Sequence, residues 1–178
     1  MIIVSQYEDC FNKKHKFFIK SKEFPDCPDC GGRLLVRDTK PRHVIRKETE
    51  ETRWYSLRRL KCTRCGKIHT ELPDFMQPYK HYESESIQDT IDENPDNCCQ
   101  ADNSTLSRWK SSFRNAKAQI EALLIACWIY QSRMQYPLLN KNSLLKTIRN
   151  TIRGWLAFVM QMLVNSGYRI HTQFAFCP

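Results

Sequence analysis

The sequence predicts an α+β chain: a small β ribbon closed by paired cysteines, then a helix-turn-helix and a long antiparallel α-hairpin. Three observations carry that expectation. Two Cys-x-x-Cys-Gly units enclose a stretch rich in basic and β-branched residues, a short acidic helical candidate precedes a strong helix start at Ser104, and two apolar stripes with spacings of three and four follow. The boundaries read as 1–82 for the N-terminal strand and ribbon, 83–117 for the helix-turn-helix-like segment, and 105–178 for the helical hairpin and its tail. The first long helix is shared by the last two.

Ile2-Ile3-Val4 reads as a short strand, and a Phe17-Phe18-Ile19 patch leads on to Pro25. Between Cys27 and Cys65, weak alternation with turn signals at Gly31-Gly32 and Pro41 fits two or three strands of a hairpin. Cys27-Pro28-Asp29-Cys30-Gly31 and Cys62-Thr63-Arg64-Cys65-Gly66 are separated by 31 residues. Each unit can aim two thiolates at one ion, while the glycine permits a tight turn whose amides approach the sulfurs. Together Cys27, Cys30, Cys62 and Cys65 make the ligand set of one structural Zn2+, with an iron–sulfur or rubredoxin-like iron centre as the competing metal chemistry. Four thiolates close the coordination sphere and leave no position for a catalytic water. His69, close behind the second unit, could replace a cysteine or hydrogen-bond beside the site. Cys10, Cys98, Cys99 and Cys177 show no matching pattern, and Cys127 falls on an apolar stripe as a core residue.

The stretch Ser86–Ile91 predicts a short helix ended by Asn94-Pro95. Ser104 reads as an N-cap before Leu106, Trp109, Phe113, Ala116, Ile120, Leu123, Cys127, Tyr130 and Met134, which predicts a helix from about Thr105 to Tyr136 stopped by Pro137. The pattern resumes at Leu145, Ile148, Ile152, Trp155, Val159 and Met162, with Gly167 as its stop. Two such helices should pack antiparallel and bury Trp155. Leu124, Ile125, Trp128, Ile129, Phe158, Met160 and Leu163 widen the stripe beyond a two-helix seam. The tail Tyr168–Phe176, the zinc module or a second copy in a homodimer is expected to cover them.

The chain carries 28 Lys and Arg against 19 Asp and Glu, for a net +9. Residues 31–70 are net +8, residues 71–103 net −8 and residues 104–178 net +9, with Glu121 the single acid of the last segment. A basic balance suits a polyanionic partner. The odd total of nine cysteines behind a four-residue apolar start argues against a secreted disulfide scaffold. The longest apolar run, Ala122–Tyr130, is nine residues against the roughly 20 a bilayer span requires. A cytoplasmic protein without a membrane partner is expected.

Arg42, Arg46, Arg53, Arg58, Arg59 and Arg64 lie between or beside the knuckles, on a ribbon that could follow a phosphate backbone. Tyr55 and Trp54 interleave with them, and Trp54 is expected in a small core. On the long helix, Thr105, Ser107, Arg108, Lys110, Arg114 and Lys117 are expected outward, as on a recognition helix in a major groove of double-stranded DNA. The acidic segment 83–102 should face away from DNA or shield a basic surface. Asp74, Asp89 and Asp92 are explained by helix and loop rather than by a catalytic metal pair.

Cys27-Pro28-x-Cys30-Gly31-Gly32, then Arg58-Arg59-Leu60-x-Cys62-x-x-Cys65-Gly66-x-x-His69-x-x-Leu72-Pro73-Asp74, then Pro78-Tyr79-Lys80-x-Tyr82, resembles a bacterial zinc-ribbon family of unknown function found mainly in Firmicutes, over about residues 25–92. More loosely, the chain is similar to the N-terminal zinc ribbon and helix-turn-helix of insertion-sequence transposases, with Ser104-Thr105-Leu106-x-Arg108-Trp109 at the recognition helix. That resemblance implies DNA recognition with zinc on the four cysteines. Two-metal phosphoryl transfer needs converging carboxylates, and beyond Asp102 the sequence offers only Glu121, so no enzyme activity is expected. The expected function is a mobile-element-associated DNA-binding accessory factor or regulator. The alternatives are an adaptor that docks a transposase, integrase or polymerase subunit through the hairpin, and a single-stranded DNA or RNA binder.

Overall fold

A computed structural model describes residues 1–11, 17–132 and 143–168. Strands β1 (Ile2–Val4), β2 (Tyr7–Phe11), β3 (Phe17–Ser21), β4 (Leu34–Ile45), β5 (Thr52–Cys62) and β6 (Ile68–Pro73) form one sheet. Helices α1 (Ser84–Asp92), α2 (Asn103–Ser132), α3 (Leu144–Thr151) and α4 (Trp155–Asn165) complete a mixed α+β structure.

β5 is the centre of the sheet. Along one side it pairs antiparallel with β4, from Leu34↔Cys62 to Ile45↔Thr52, with an irregularity between Val36 and Asp38 that leaves Arg37 unpaired in the register. Along its other side β6 pairs antiparallel with residues 59–61, and β3 meets it in parallel at Phe17↔Tyr55. β1 then adds to β6 in parallel, and β2 to β3 in antiparallel. The expected ribbon hairpin is therefore present as β4 and β5, but inside a larger sheet. Period-two alternation puts Tyr55 and Leu57 in the core. Trp54, expected in a small core, points the other way: it is 56% exposed, and its ring lies 4.8 Å from that of His43.

The helical part departs from a two-helix hairpin. Glu121 accepts hydrogen bonds from the Leu144 and Leu145 amides at 2.7 and 2.9 Å and from the Ser143 hydroxyl at 2.7 Å, which seats the start of α3 beside the middle of α2. Arg149, near the end of α3, lies over the Phe113 ring at 5.3 Å, so α3 runs back along α2. At Gly154, with φ +72°, the chain reverses. α4 then returns in the direction of α2, from Trp155 beside Phe113 (ring centroids 5.4 Å) to Met162, whose carbonyl faces Cys127 Sγ at 4.0 Å. The second arm is thus two short helices. The apolar stripe runs unbroken through the turn because spacing counts side chains and not backbone conformation.

α1 and its left-handed end at Glu93 agree with the expected short helix. Residues 93–102 between α1 and α2 are too long for the three- or four-residue turn of a helix-turn-helix, so that motif is not formed as expected. The cap also moves: Asp102, not Ser104, holds the start of α2, accepting from the Thr105 amide at 2.8 Å and the Thr105 and Ser104 hydroxyls at 2.9 and 2.5 Å.

Much of the wide apolar stripe is covered by the fold itself, since Leu124, Met160 and Leu163 are buried. α4 packs on β1: Asn165 donates to the Ile3 carbonyl at 2.8 Å and accepts from its amide at 2.9 Å. Met134, Pro137, the Asn140-Lys141-Asn142 loop, the tail beyond Tyr168 and Cys177 lie outside the described residues.

Candidate metal centre and basic surface

The two knuckles are built alike. In the first, the Cys27 amide donates to the Gly32 carbonyl at 2.9 Å and the Gly31 amide to the Cys27 carbonyl at 2.7 Å. In the second, the Cys62 amide donates to the Lys67 carbonyl at 2.9 Å and the Gly66 amide to the Cys62 carbonyl at 3.1 Å. Gly31 and Gly66 both take the left-handed conformation, with φ +69° and +71°, which a side chain would strain. The hairpin register brings the turns together, since Leu34, just after the first knuckle, pairs with Cys62. The Thr63 amide also donates to the Arg33 carbonyl at 2.9 Å.

The four sulfurs lie within 4.8 Å of one another, with Cys27 and Cys65 at 3.7 Å and Cys30 and Cys62 at 3.5 Å. A tetrahedral ion with metal–sulfur bonds of about 2.3 Å would set its ligands about 3.8 Å apart, so the donor set fits one ion. Gly32 closes one flank: a Cβ there would meet Cys62 Sγ at 2.9 Å and Cys30 Sγ at 3.3 Å. The thiols differ electrostatically. The Cys65 amide, with that of Arg64, donates to Cys62 Sγ and pulls its pKa down to about 6, whereas burial pushes Cys27 up to about 12. A bound cation would deprotonate both. His69 and Asp29, the latter not singled out by spacing, flank Cys27.

The structure puts most of the hairpin's arginines into internal contacts. Arg58 grips the fully buried Glu71 through two hydrogen bonds of 2.7 and 2.8 Å, and Arg59 grips Asp38 at 2.5 and 2.6 Å. Arg42 donates to the Gln77 and Lys80 carbonyls at 2.5 and 2.7 Å, and burial lowers its pKa. Arg46 pairs with Glu83 at 2.8 Å, Arg53 lies 4.6 Å over the Phe17 ring, and Arg64 donates to the Cys30 carbonyl at 3.1 Å. Lys47 meets Glu85 and Asp89 at 3.0 and 2.6 Å. The acidic segment therefore neutralises the hairpin tip. Asp74 accepts from Tyr7, and Asp92 accepts from Trp155 and pairs with Arg149, so Asp74, Asp89 and Asp92 each serve a different partner.

On α2 the picture differs. Ser107, Arg108, Arg114 and Lys117 are exposed, Lys110 reaches Glu93 at 3.1 Å, and Thr105 belongs to the Asp102 cap. Cys127 is buried in the core as expected, and Cys98 lies exposed in the 93–102 connection. Among the described residues no helix is long and apolar enough to cross a membrane.

Residues 27–109 match a domain of unknown function, DUF6431, which spans the four-cysteine cluster, the hairpin, α1 and the start of α2. No curated protein and no solved structure matches the chain.

Proposed function

We propose that the chain is a DNA-binding protein in which one structural zinc ion closes the β4–β5 hairpin and the exposed face of α2 contacts the duplex. The observation that carries this reading is the contrast in how cations are used. Most of the hairpin's arginines are matched to carboxylates, carbonyls or a ring, while Ser107, Arg114 and Lys117 stand outward on a helix face with no acid between Asp102 and Glu121. Hydroxyl and guanidinium groups together suit phosphate contacts and base edges. Four soft thiolates favour zinc, and their closed coordination favours a structural role. The motif likeness to transposase N-termini supports a non-enzymatic, cytoplasmic accessory factor or regulator of a mobile element, with a transposase or integrase as its protein partner.

Electrophoretic shifts on duplex DNA test this. Changing Arg114 or Lys117 to Ala should lower the slope of log affinity against log salt by about one each, and Arg58→Ala should leave that slope unchanged in protein that still folds. Equal slopes for all variants would overturn the assignment of the face. Elemental analysis should give one zinc per chain; iron instead would redirect the metal.

Exposed Trp128, Ile129 and Tyr130 (40, 45 and 84%) favour a second reading, in which the end of α2 docks a partner or a second copy. Light scattering on Trp128→Ala/Tyr130→Ala tests the second-copy form. Trp54, being exposed, would offer a stacking surface to single strands, which competition between duplex and single-stranded probes would reveal.

A further inference from the structure

Arg42 stands apart from the other arginines of the hairpin. Arg46, Arg58 and Arg59 each meet a carboxylate, whereas Arg42 meets only the Gln77 and Lys80 carbonyls, both through Nη2. Burial lowers its pKa, and the group that opposes this is the Tyr79 side chain, not an acid. Its Nε and Nη1 have no partner among the described residues and are not sealed from solvent. A guanidinium fixed by main-chain carbonyls, with free donors and no anion beside it, is prepared for an anion from outside the chain.

Aromatic rings gather at the same place. The Ile45 amide donates to the His81 carbonyl at 2.6 Å, which lays the end of the Gln77-to-His81 segment along the edge of β4. His81 stacks on His43 with ring centroids 4.1 Å apart and an interplanar angle of 4°, and His43 meets Trp54 at 4.8 Å. Trp54, Tyr79 and His81 are all exposed. Burial, with His43 and Arg42 nearby, holds the His81 imidazole below its ordinary pKa, so the ring is uncharged at neutral pH. Tyr79 reaches its place with φ +61°, a left-handed conformation that a tyrosine adopts at a cost.

We propose that this part of the hairpin binds an unpaired nucleotide of a single-stranded nucleic acid, its base stacked on the exposed rings of Trp54, His43 and His81 and its phosphate on the free donors of Arg42. The proposal deepens the single-strand reading of Trp54 above and does not depend on the α2 face. Arg42 alone would serve any anion; the adjoining rings select one that carries a flat aromatic group. In a duplex both faces of each base are covered by its neighbours, so these rings can receive only a base that has left the stack.

Fluorescence anisotropy of labelled oligothymidylate and oligouridylate with the full chain tests the site. Trp54→Ala should weaken both single strands about tenfold, and His81→Ala less, while duplex affinity stays unchanged. Arg42→Gln should lower the slope of log affinity against log salt on single strands by about 0.7. If Arg42→Gln does not fold, ultraviolet crosslinking of wild type to a strand carrying 5-iodouracil takes its place, with the crosslink expected on Trp54, His43 or His81. Wild type that binds no single strand, a Trp54→Ala that binds as wild type, or a crosslink mapped to α2 would overturn the site. Equal loss of duplex and single-strand affinity in Trp54→Ala would do so too. Thymidine monophosphate binding as tightly as the strand would overturn the strand as the occupant. The α2 reading fails separately, through duplex salt slopes that ignore Arg114 and Lys117.

Discussion

The β4–β5 hairpin is fastened at both ends by different means. At one end, two turns 31 residues apart in sequence bring four thiols around a single point. At the other, Arg42, Arg46 and Lys47 reach the carbonyls and carboxylates of residues 77–89. If those thiols hold one ion, the first fastening is lost as a unit when the ion leaves. The second is graded, since each ion pair adds a modest and salt-sensitive increment. A strongly basic hairpin is thus not automatically a phosphate-binding one: here most of its arginines are engaged within the fold.

Metal removal should have the largest effect. Apparent binding free energies of structural zinc are about 10–16 kcal/mol, comparable with the whole stability of a domain. Cys62→Ser or chelation should therefore unfold the ribbon at neutral pH. Sequence reasoning alone expects residues 25–70 to unfold and the helices to survive. The structure instead ties α4 to β1, β1 to β6, and Gly167 so close to the Pro28 carbonyl that no Cβ fits between them. Circular dichroism should show helix lost together with ribbon. Retained helix would mean the metal end works in isolation.

Next comes the middle of the hairpin. Glu71→Gln leaves Arg58 without its buried carboxylate and should cost about 3 kcal/mol, read by urea denaturation. At the tip, Asp89→Asn should cost less, about 1 kcal/mol, because Lys47 keeps Glu85 as a partner. Equal losses at the two positions would erase the distinction between them.

The smallest effect is expected at Asp102. The Ser104 hydroxyl, with the Thr105 amide and hydroxyl, holds its carboxyl at about 2. The folded value lies below the unfolded one of about 3.9, so its contribution is complete above about pH 4 and disappears as pH falls toward 2. Asp102→Asn should flatten the stability curve in that window only.

What could be seen in the sequence was whatever a local pattern encodes. The knuckles, the β4–β5 hairpin, α1, α2 and the buried Cys127 all follow from spacing. What escaped depends on partners distant in sequence. Arg58 reads as a phosphate contact because Glu71 sits 13 residues away, although a β5–β6 hairpin turning between Arg64 and Cys65 places them opposite each other. Ser104 reads as the cap because its residue type suits the position, but Asp102, equally suited, is the residue whose side chain accepts from Thr105. Gly154 broke the last helix in a stripe whose apolar spacing gave no sign of it. Trp54, expected in a core, faces out and Tyr55 faces in because one residue of strand phase decides between them.

The pairing of β1 has a consequence for how the chain reaches this structure. Ile3 hydrogen-bonds to Asn165, 162 residues away, and its strand lies alongside β6. Hairpins such as β2–β3 and β4–β5 close short loops and can form early, whereas β1 can find its final partners only after residues 161–165 have been synthesised and coiled. Until then three consecutive apolar residues, Ile2, Ile3 and Val4, have no helix to cover them. β1 can therefore pair with β6 well before it meets α4, and its apolar side chains gain that cover late in synthesis.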